Sequence, residues 1–228
     1  WYTINMQSKK HIIIFSHGFG VRKDDVGLFT DIVKAVPEVE SILFDYFDVD
    51  EKNKILTIRP FSTQVKMLND VVKKARESDP EATIDLICHS QGTMTAALAK
   101  PDGIRKTIFL APVLDMSIER TLKRYGSDPD SDINLDGISK LRVFDGFLRI
   151  VPREYWAERK KIKPFKEYNE FAQKTELIVI EANQDEILSK VDLKDLNSKI
   201  KLMSLDGNHG FSGKARKNLI KTVREIIL

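Results

Sequence analysis

Cysteine is nearly missing from this chain: Cys88 is the only one in 228 residues. A single thiol excludes an internal disulfide and a multi-cysteine zinc site. A reducing compartment fits that composition, so a cytoplasmic location is expected, although the start at Trp1 instead of Met leaves room for a removed leader. Long hydrophobic runs are also missing. Segments such as Ile12 to Phe15 and Leu177 to Ile180 are strand-sized, well short of the roughly 18–20 residues a membrane-spanning helix needs. Proline (8) and glycine (11) are too sparse for collagen-like or low-complexity chains. Charge of one sign is not in excess either, since Lys+Arg 37 against Asp+Glu 34 leaves +3. A nucleic-acid binder concentrates far more basic charge, so nucleic acid is not an expected partner. No His-x-x-x-His or comparable cluster occurs, so no metal is expected.

What is present is a core-forming composition, 42% hydrophobic and 31% charged, at a length suited to one large domain or one domain with an insertion. Nearly continuous apolar runs at His11 to Ser16, Ser41 to Tyr46, Thr83 to Cys88, Lys106 to Ala111, Glu176 to Glu181 and Lys199 to Leu205 predict buried strands. Between them, Asp25 to Ala35, Ser62 to Arg76, Gln91 to Lys100 and Lys214 to Ile227 carry apolar residues every three or four positions and predict helices. Alternation of this kind implies an α/β fold, a mostly parallel sheet flanked by helices on both faces. From Pro112 to Gln173 the strand rhythm stops for roughly 60 residues, longer than an ordinary connection. That stretch is rich in Phe, Tyr and Trp and is expected to be a helical insertion. The expected division is therefore a core of residues 1–111 and 174–228 and a cap of residues 112–173.

The chemistry-bearing residues cluster at strand ends. Cys88-His89-Ser90-Gln91-Gly92 follows the third apolar strand and opens an Ala-rich helix, the form of a nucleophile elbow, which holds a serine hydroxyl above the sheet on a sharp turn. A plain helix N-cap is the competing role for Ser90. His17-Gly18-Phe19-Gly20 follows the first strand, where flanking glycines let a backbone N–H approach a substrate. The N–H groups of Phe19 and Gln91 would then share an oxyanion. An ordinary glycine turn is the alternative there. A serine nucleophile needs a base. His11 opens a strand at the far end of the sheet, His17 belongs to the glycine turn, and His89 adjoins Ser90 and is expected to point away. His209, in the loop Asp206-Gly207-Asn208-His209-Gly210-Phe211, remains. Asp185 is the best candidate for the carboxylate that orients it, with Glu186 and Asp115 as alternatives.

The segments HGFG, CHSQG, NQDE and GNHGF, in this order, resemble an α/β-hydrolase superfamily serine hydrolase from about Lys10 to the end. HGF with HSQG is similar to the feruloyl (cinnamoyl) esterase and monoacylglycerol lipase group, whose members carry a cap after the strand following the elbow helix. The resemblance implies Ser90 as nucleophile, His209 as base, Asp185 as acid, Phe19 and Gln91 as oxyanion donors, and no cofactor. The chain departs from the group at Cys88, where a glycine is usual. It departs again at Phe47-Asp48-Val49-Asp50-Glu51, which stands in place of a glycine-rich segment. The strands usually found before His11 are reduced to Tyr2 to Met6.

The expected function is hydrolysis of a carboxylic ester, a small molecule with a short-to-medium or aryl acyl group. His17, His89, Phe144, Phe147 and Trp156 are the candidate substrate-pocket residues. A thioesterase or a serine peptidase or amidase would use the same triad, and a non-catalytic binding protein could share the fold.

Overall fold

Strands that are apolar on both faces need helices on both faces, and the chain supplies them by alternation. The computed structural model describes residues 9–126, 128–142, 145–188 and 192–228; the expected strand at Tyr2 to Met6 lies outside these. In chain order the elements are β1 (His11–Ser16), α1 (Leu28–Ala35), β2 (Glu40–Leu43), β3 (Asp48–Asp50), β4 (Ile55–Thr57), α2 (Phe61–Ser78), β5 (Thr83–His89) and α3 (Gln91–Ala99). They continue with β6 (Ile104–Leu110), α4 (Ile118–Tyr125), β7 (Ser139–Arg142), β8 (Leu148–Val151), α5 (Arg153–Arg159), α6 (Pro164–Phe171), β9 (Glu176–Ala182), β10 (Lys201–Leu205) and α7 (Lys214–Ile227).

Six strands form one sheet in the order β2-β1-β5-β6-β9-β10, and every pair is parallel. Period-two alternation divides the core. Ile12 and Ile14 of β1 face a cluster with Leu68 and Val72 of α2, Met94 of α3 and Phe171 of α6. Ile13 and Phe15 face the opposite cluster, with Phe29 of α1 and Leu219, Val223 and Ile227 of α7. The last three lie four apart, one stripe of a helix.

The topology positions the site. From β1 the chain moves outward to β2, whereas from β5 it moves the other way to β6. The loops after β1 and β5 therefore part at their carboxyl ends and leave a crevice, the place where open α/β sheets bind ligands.

Three expectations need correction. The two edge strands expected to be buried are not: β2 is half-buried to exposed and four of the five residues of β10 are exposed, because each has a neighbouring strand on one side only. The helix expected from Asp25 begins at Leu28, because Asp25, Val26 and Gly27 all have positive φ (49, 55 and 82°), and no right-handed helix contains such a run. The insertion after β6, expected to be helical, also contains strands. β7 and β8 pair antiparallel, and β8 pairs parallel with β4, which pairs with β3. The result is a second sheet, β3-β4-β8-β7. Buried Ser139 and Leu141 alternate with exposed Lys140 and Arg142, a strand period hidden in a segment whose aromatic residues suggested helix. The departing sequence Phe47 to Glu51 thus builds part of a hairpin that anchors the insertion. The insertion's last helix, α6, joins the main core, with Tyr168 and Phe171 packed on Phe109 of β6.

Candidate active site

Ser90 stands alone between β5 and α3 at φ 51° and ψ −124°, a strained conformation for a non-glycine residue. Its backbone is held by an N–H bond to Leu110 O at 3.0 Å. The turn is possible because Gly92 has no side chain: a Cβ there would meet the Ser16 carbonyl oxygen at 2.0 Å. The Ser16 hydroxyl donates to Gly92 O at 2.9 Å, stitching β1 to the elbow. Gln91 is fixed by its own side chain, whose Oε1 accepts from the Tyr155 hydroxyl at 2.6 Å and whose Nε2 donates to Gln64 at 3.2 Å. Cys88 is fully buried, and burial pushes its thiol well above the ordinary range, so it is inert beside Ser90.

The loop after β10 brings His209 over the sheet edge. His209 Nε2 lies 2.9 Å from Ser90 Oγ, and Nδ1 lies 2.7 Å from Asp185 Oδ2. A carboxylate only accepts, so Nδ1 carries the proton and Nε2 offers its lone pair to the Ser90 hydroxyl. The other Asp185 oxygen accepts the N–H groups of Ile187 and Leu188, each at 2.8 Å. The two alternative acids are occupied elsewhere. Glu186 accepts the backbone N–H of His209 at 3.0 Å, and Asp115 accepts the Ser117 N–H at 2.8 Å and its hydroxyl at 2.9 Å. Burial lowers the His209 pKa below the ordinary histidine value; Asp185 opposes this and neighbouring His89 adds to it.

His89 does not point away from the site. Its ring centroid is 4.8 Å from that of His209, and its Nε2 donates to His209 O at 3.0 Å. Its Nδ1 makes an ion-pair contact, not an aligned hydrogen bond, with Asp25 Oδ2 at 2.9 Å. Burial disfavours charge on His89, but Asp25 outweighs it and raises the pKa, while the carboxyl of Asp25 is held low by His89 against its own burial. Asp25 also accepts the Gly18 N–H at 2.8 Å. This buried acid was not anticipated, because it sits in what resembled a helix start.

The turn after β1 is equally constrained. His17 accepts the Tyr46 N–H on Nε2 at 3.0 Å and therefore donates from Nδ1 to Gly18 O at 2.9 Å. Burial pushes its pKa down, consistent with a neutral ring. Gly20, at φ 68°, presents its carbonyl to Arg149 Nε of β8 at 3.0 Å, so the second sheet grips the turn. Among the described residues the N–H groups of Phe19 and Gln91 have no protein acceptor.

These groups border a cavity of about 450 Å³ lined by Ser90, His209, Phe19, Gln91 and His89, with Val113, Met116 and Trp156 on its apolar side. Of the expected pocket residues, His89 and Trp156 are there. His17 is not: it is 1% exposed, both ring nitrogens serving the turn. Phe147 lies off the cavity, under the Lys54 ammonium at 4.9 Å, and Phe144 lies outside the described residues. Among the described residues no helix is long and apolar enough to cross a membrane.

No protein-family model and no curated protein matches the sequence. Solved structures do. Est1E from Butyrivibrio proteoclasticus, with ferulic acid bound, superposes with a TM-score of 0.71 at 18% identity over 98% of this chain and 90% of that one. The esterase domain of a Rhodothermus marinus protein gives 0.66 at 14% identity over 97% and 88%. A Xanthomonas campestris protein described as a hydrolase of the alpha/beta superfamily gives 0.54 at 14% identity over 95% and 99%. With the parallel sheet and the elbow after β5, these similarities show that the chain has the α/β-hydrolase fold.

Proposed function

We propose that this protein is a serine hydrolase that cleaves carboxylic esters through an acyl-enzyme, with Ser90 as nucleophile, His209 as base and Asp185 as the acid that orients it. The observation that carries this reading is the continuous contact from Asp185 through His209 to Ser90, at 2.7 and 2.9 Å, ending on a strained serine that borders a cavity. His209 Nε2 takes the hydroxyl proton as Ser90 Oγ attacks the ester carbonyl. The carbonyl oxygen becomes an oxyanion, received by the N–H groups of Phe19 and Gln91 and by the positive end of α3. Collapse breaks the C–O bond, and the alcohol leaves with the proton returned from His209. Water then attacks the acyl-enzyme by the same sequence and releases the acid. None of these steps calls on a cofactor or metal.

Residues 112–173 act as a cap on a core of residues 1–111 and 174–228. The apolar wall of Val113, Met116 and Trp156 suits a short-to-medium or aryl acyl group, and the likeness to Est1E, a protein seen with an aryl acid bound, supports the aryl choice. The test is a screen of matched esters, thioesters and amides against wild type and Ser90→Ala. Ester turnover by wild type, abolished in the variant, is expected. Turnover that survives Ser90→Ala, or preference for the amide, overturns the reading.

A further inference from the structure

Helix α4 turns one face to the cavity: Arg120, Thr121, Arg124 and Tyr125 all line it, positions four apart on a helix sharing a side. Several arginines reach this wall, and most have protein partners. Arg149 binds Asp145 and Gly20 O. Arg159 donates to Met116 O and Ser117 O, each at 3.1 Å. Arg216 donates to Asp31 and to Gly210 O, each at 2.8 Å.

Arg120 differs. Its Nη1 is buried with no hydrogen-bond partner among the described residues, and the segments outside them contain no Asp or Glu that could serve it. The acids whose charge it feels, Asp115 and Asp185, are engaged by Ser117 and His209. The two acids on the cavity wall are engaged as well, Asp25 by Gly18 and His89 and Glu186 by the His209 N–H. Arg159, of the same sign, is also near, and burial together with Arg159 pushes the Arg120 pKa down. A guanidinium nevertheless stays charged at neutral pH. The wall therefore holds a partly desolvated cation with a donor that no described residue uses, a costly arrangement unless a ligand completes it.

We infer that the substrate of this site carries an anionic group, a carboxylate or phosphate, that seats on Arg120 of α4 while its ester carbonyl lies at Ser90. The inference rests on the esterase reading and names its substrate class. A guanidinium receives either oxyanion through paired N–H donors. Arg124, exposed and stacked on Tyr125 at 5.6 Å, adds charge on the same helix face.

The experiment compares kcat/KM for 4-nitrophenyl hydrogen adipate, 4-nitrophenyl 5-phosphonopentanoate and neutral 4-nitrophenyl hexanoate. Wild type should favour an anionic ester over the neutral one by at least about tenfold, and that ratio should fall as salt is raised. A higher ratio for the adipate assigns a dicarboxylic monoester; a higher ratio for the phosphonate assigns a phosphate-bearing substrate. Arg120→Gln should bring the ratio close to one, and Arg120→Lys should keep most of it. A wild-type ratio of one or less, or a ratio unchanged in Arg120→Gln, overturns the inference. Calorimetry of monomethyl adipate and methyl hexanoate on Ser90→Ala separates the two readings. Tighter binding of the anion without turnover by wild type sinks the esterase reading and keeps the anion site. Equal binding with normal ester turnover does the reverse.

Discussion

Two His–Asp contacts of equal length stand at opposite ends of one parallel sheet. At the amino end, His11 Nε2 meets Asp85 Oδ2 at 2.7 Å; at the carboxyl end, His209 Nδ1 meets Asp185 Oδ2 at 2.7 Å. Their surroundings differ. Asp85 is fully buried and also accepts the Lys106 N–H at 2.9 Å and Arg105 Nε at 3.0 Å. Arg105 in turn reaches Ile227 O at 3.1 Å, so that cluster fastens β1, β5, β6 and the end of α7, and no hydroxyl of the described residues bonds to the His11 or Asp85 side chain. The second pair leaves one imidazole nitrogen facing a serine that the elbow holds in strain, beside a cavity. A His–Asp pair alone is therefore weak evidence of catalysis, and the strained neighbour and the open space are what distinguish the two ends.

The comparison breaks most visibly at the proposed nucleophile. Ser90→Ala and His209→Ala should each lower kcat by roughly 10⁶, the scale on which removing either member of such a unit disables it, whereas His11→Ala should leave kcat of the folded enzyme within about twofold. Steady-state kinetics on a neutral 4-nitrophenyl ester checks both. Next in size is Asp185→Asn, which should lower kcat by about 10⁴ through the wrong tautomer of His209; Glu186→Gln, which touches only a backbone N–H, should cost far less. If Glu186→Gln were the more damaging, the acid would need reassigning.

At the amino end the expected effect is on stability. Asp85→Ala removes the hub of the cluster, and because Arg105 is half exposed the loss is about 2–4 kcal/mol rather than that of a fully buried pair. A fall in Tm of several degrees with unchanged kcat at low temperature is the signature. The smallest effect concerns pH. In the proposed mechanism only neutral His209 can take the serine proton, so turnover should rise with pH through its pKa, and because burial depresses that pKa the rise should centre below about 6.5. Asp185 raises the pKa, Asp25 does so more remotely, and cationic His89 lowers it. His89→Gln should therefore move the midpoint of the pH profile upward, and a downward move would contradict that assignment.

The difference between the two sheets also explains what the sequence discloses. The central strands of the main sheet, β1, β5, β6 and β9, were legible because burial on both faces demands unbroken apolar runs, as in Ile12 to Phe15 and Leu177 to Ile180. The elbow was legible because Gly92 and Ser90 sit at a spacing that sterics impose locally. The second sheet was not, since β3 and β4 are three residues each and β4 finds its partner β8 about ninety residues away, and periodicity reports which side is buried but not against what. Asp25 escaped notice for a related reason: its role depends on a left-handed backbone run and on His89, neither of which leaves a local pattern. Arg120 was equally silent, because a missing partner is a property of three-dimensional surroundings. The anchoring of the glycine turn by Arg149 belongs with these.

The most direct test of the central claim is covalent. An activated serine beside an oxyanion site attacks the phosphorus of a fluorophosphonate as it attacks a carbonyl, so wild type should be labelled stoichiometrically, with peptide mapping placing the adduct on Ser90. Labelling should vanish in Ser90→Ala and slow by orders of magnitude in His209→Ala. Folded wild type that stays unlabelled, or an adduct that persists in Ser90→Ala, would contradict the account.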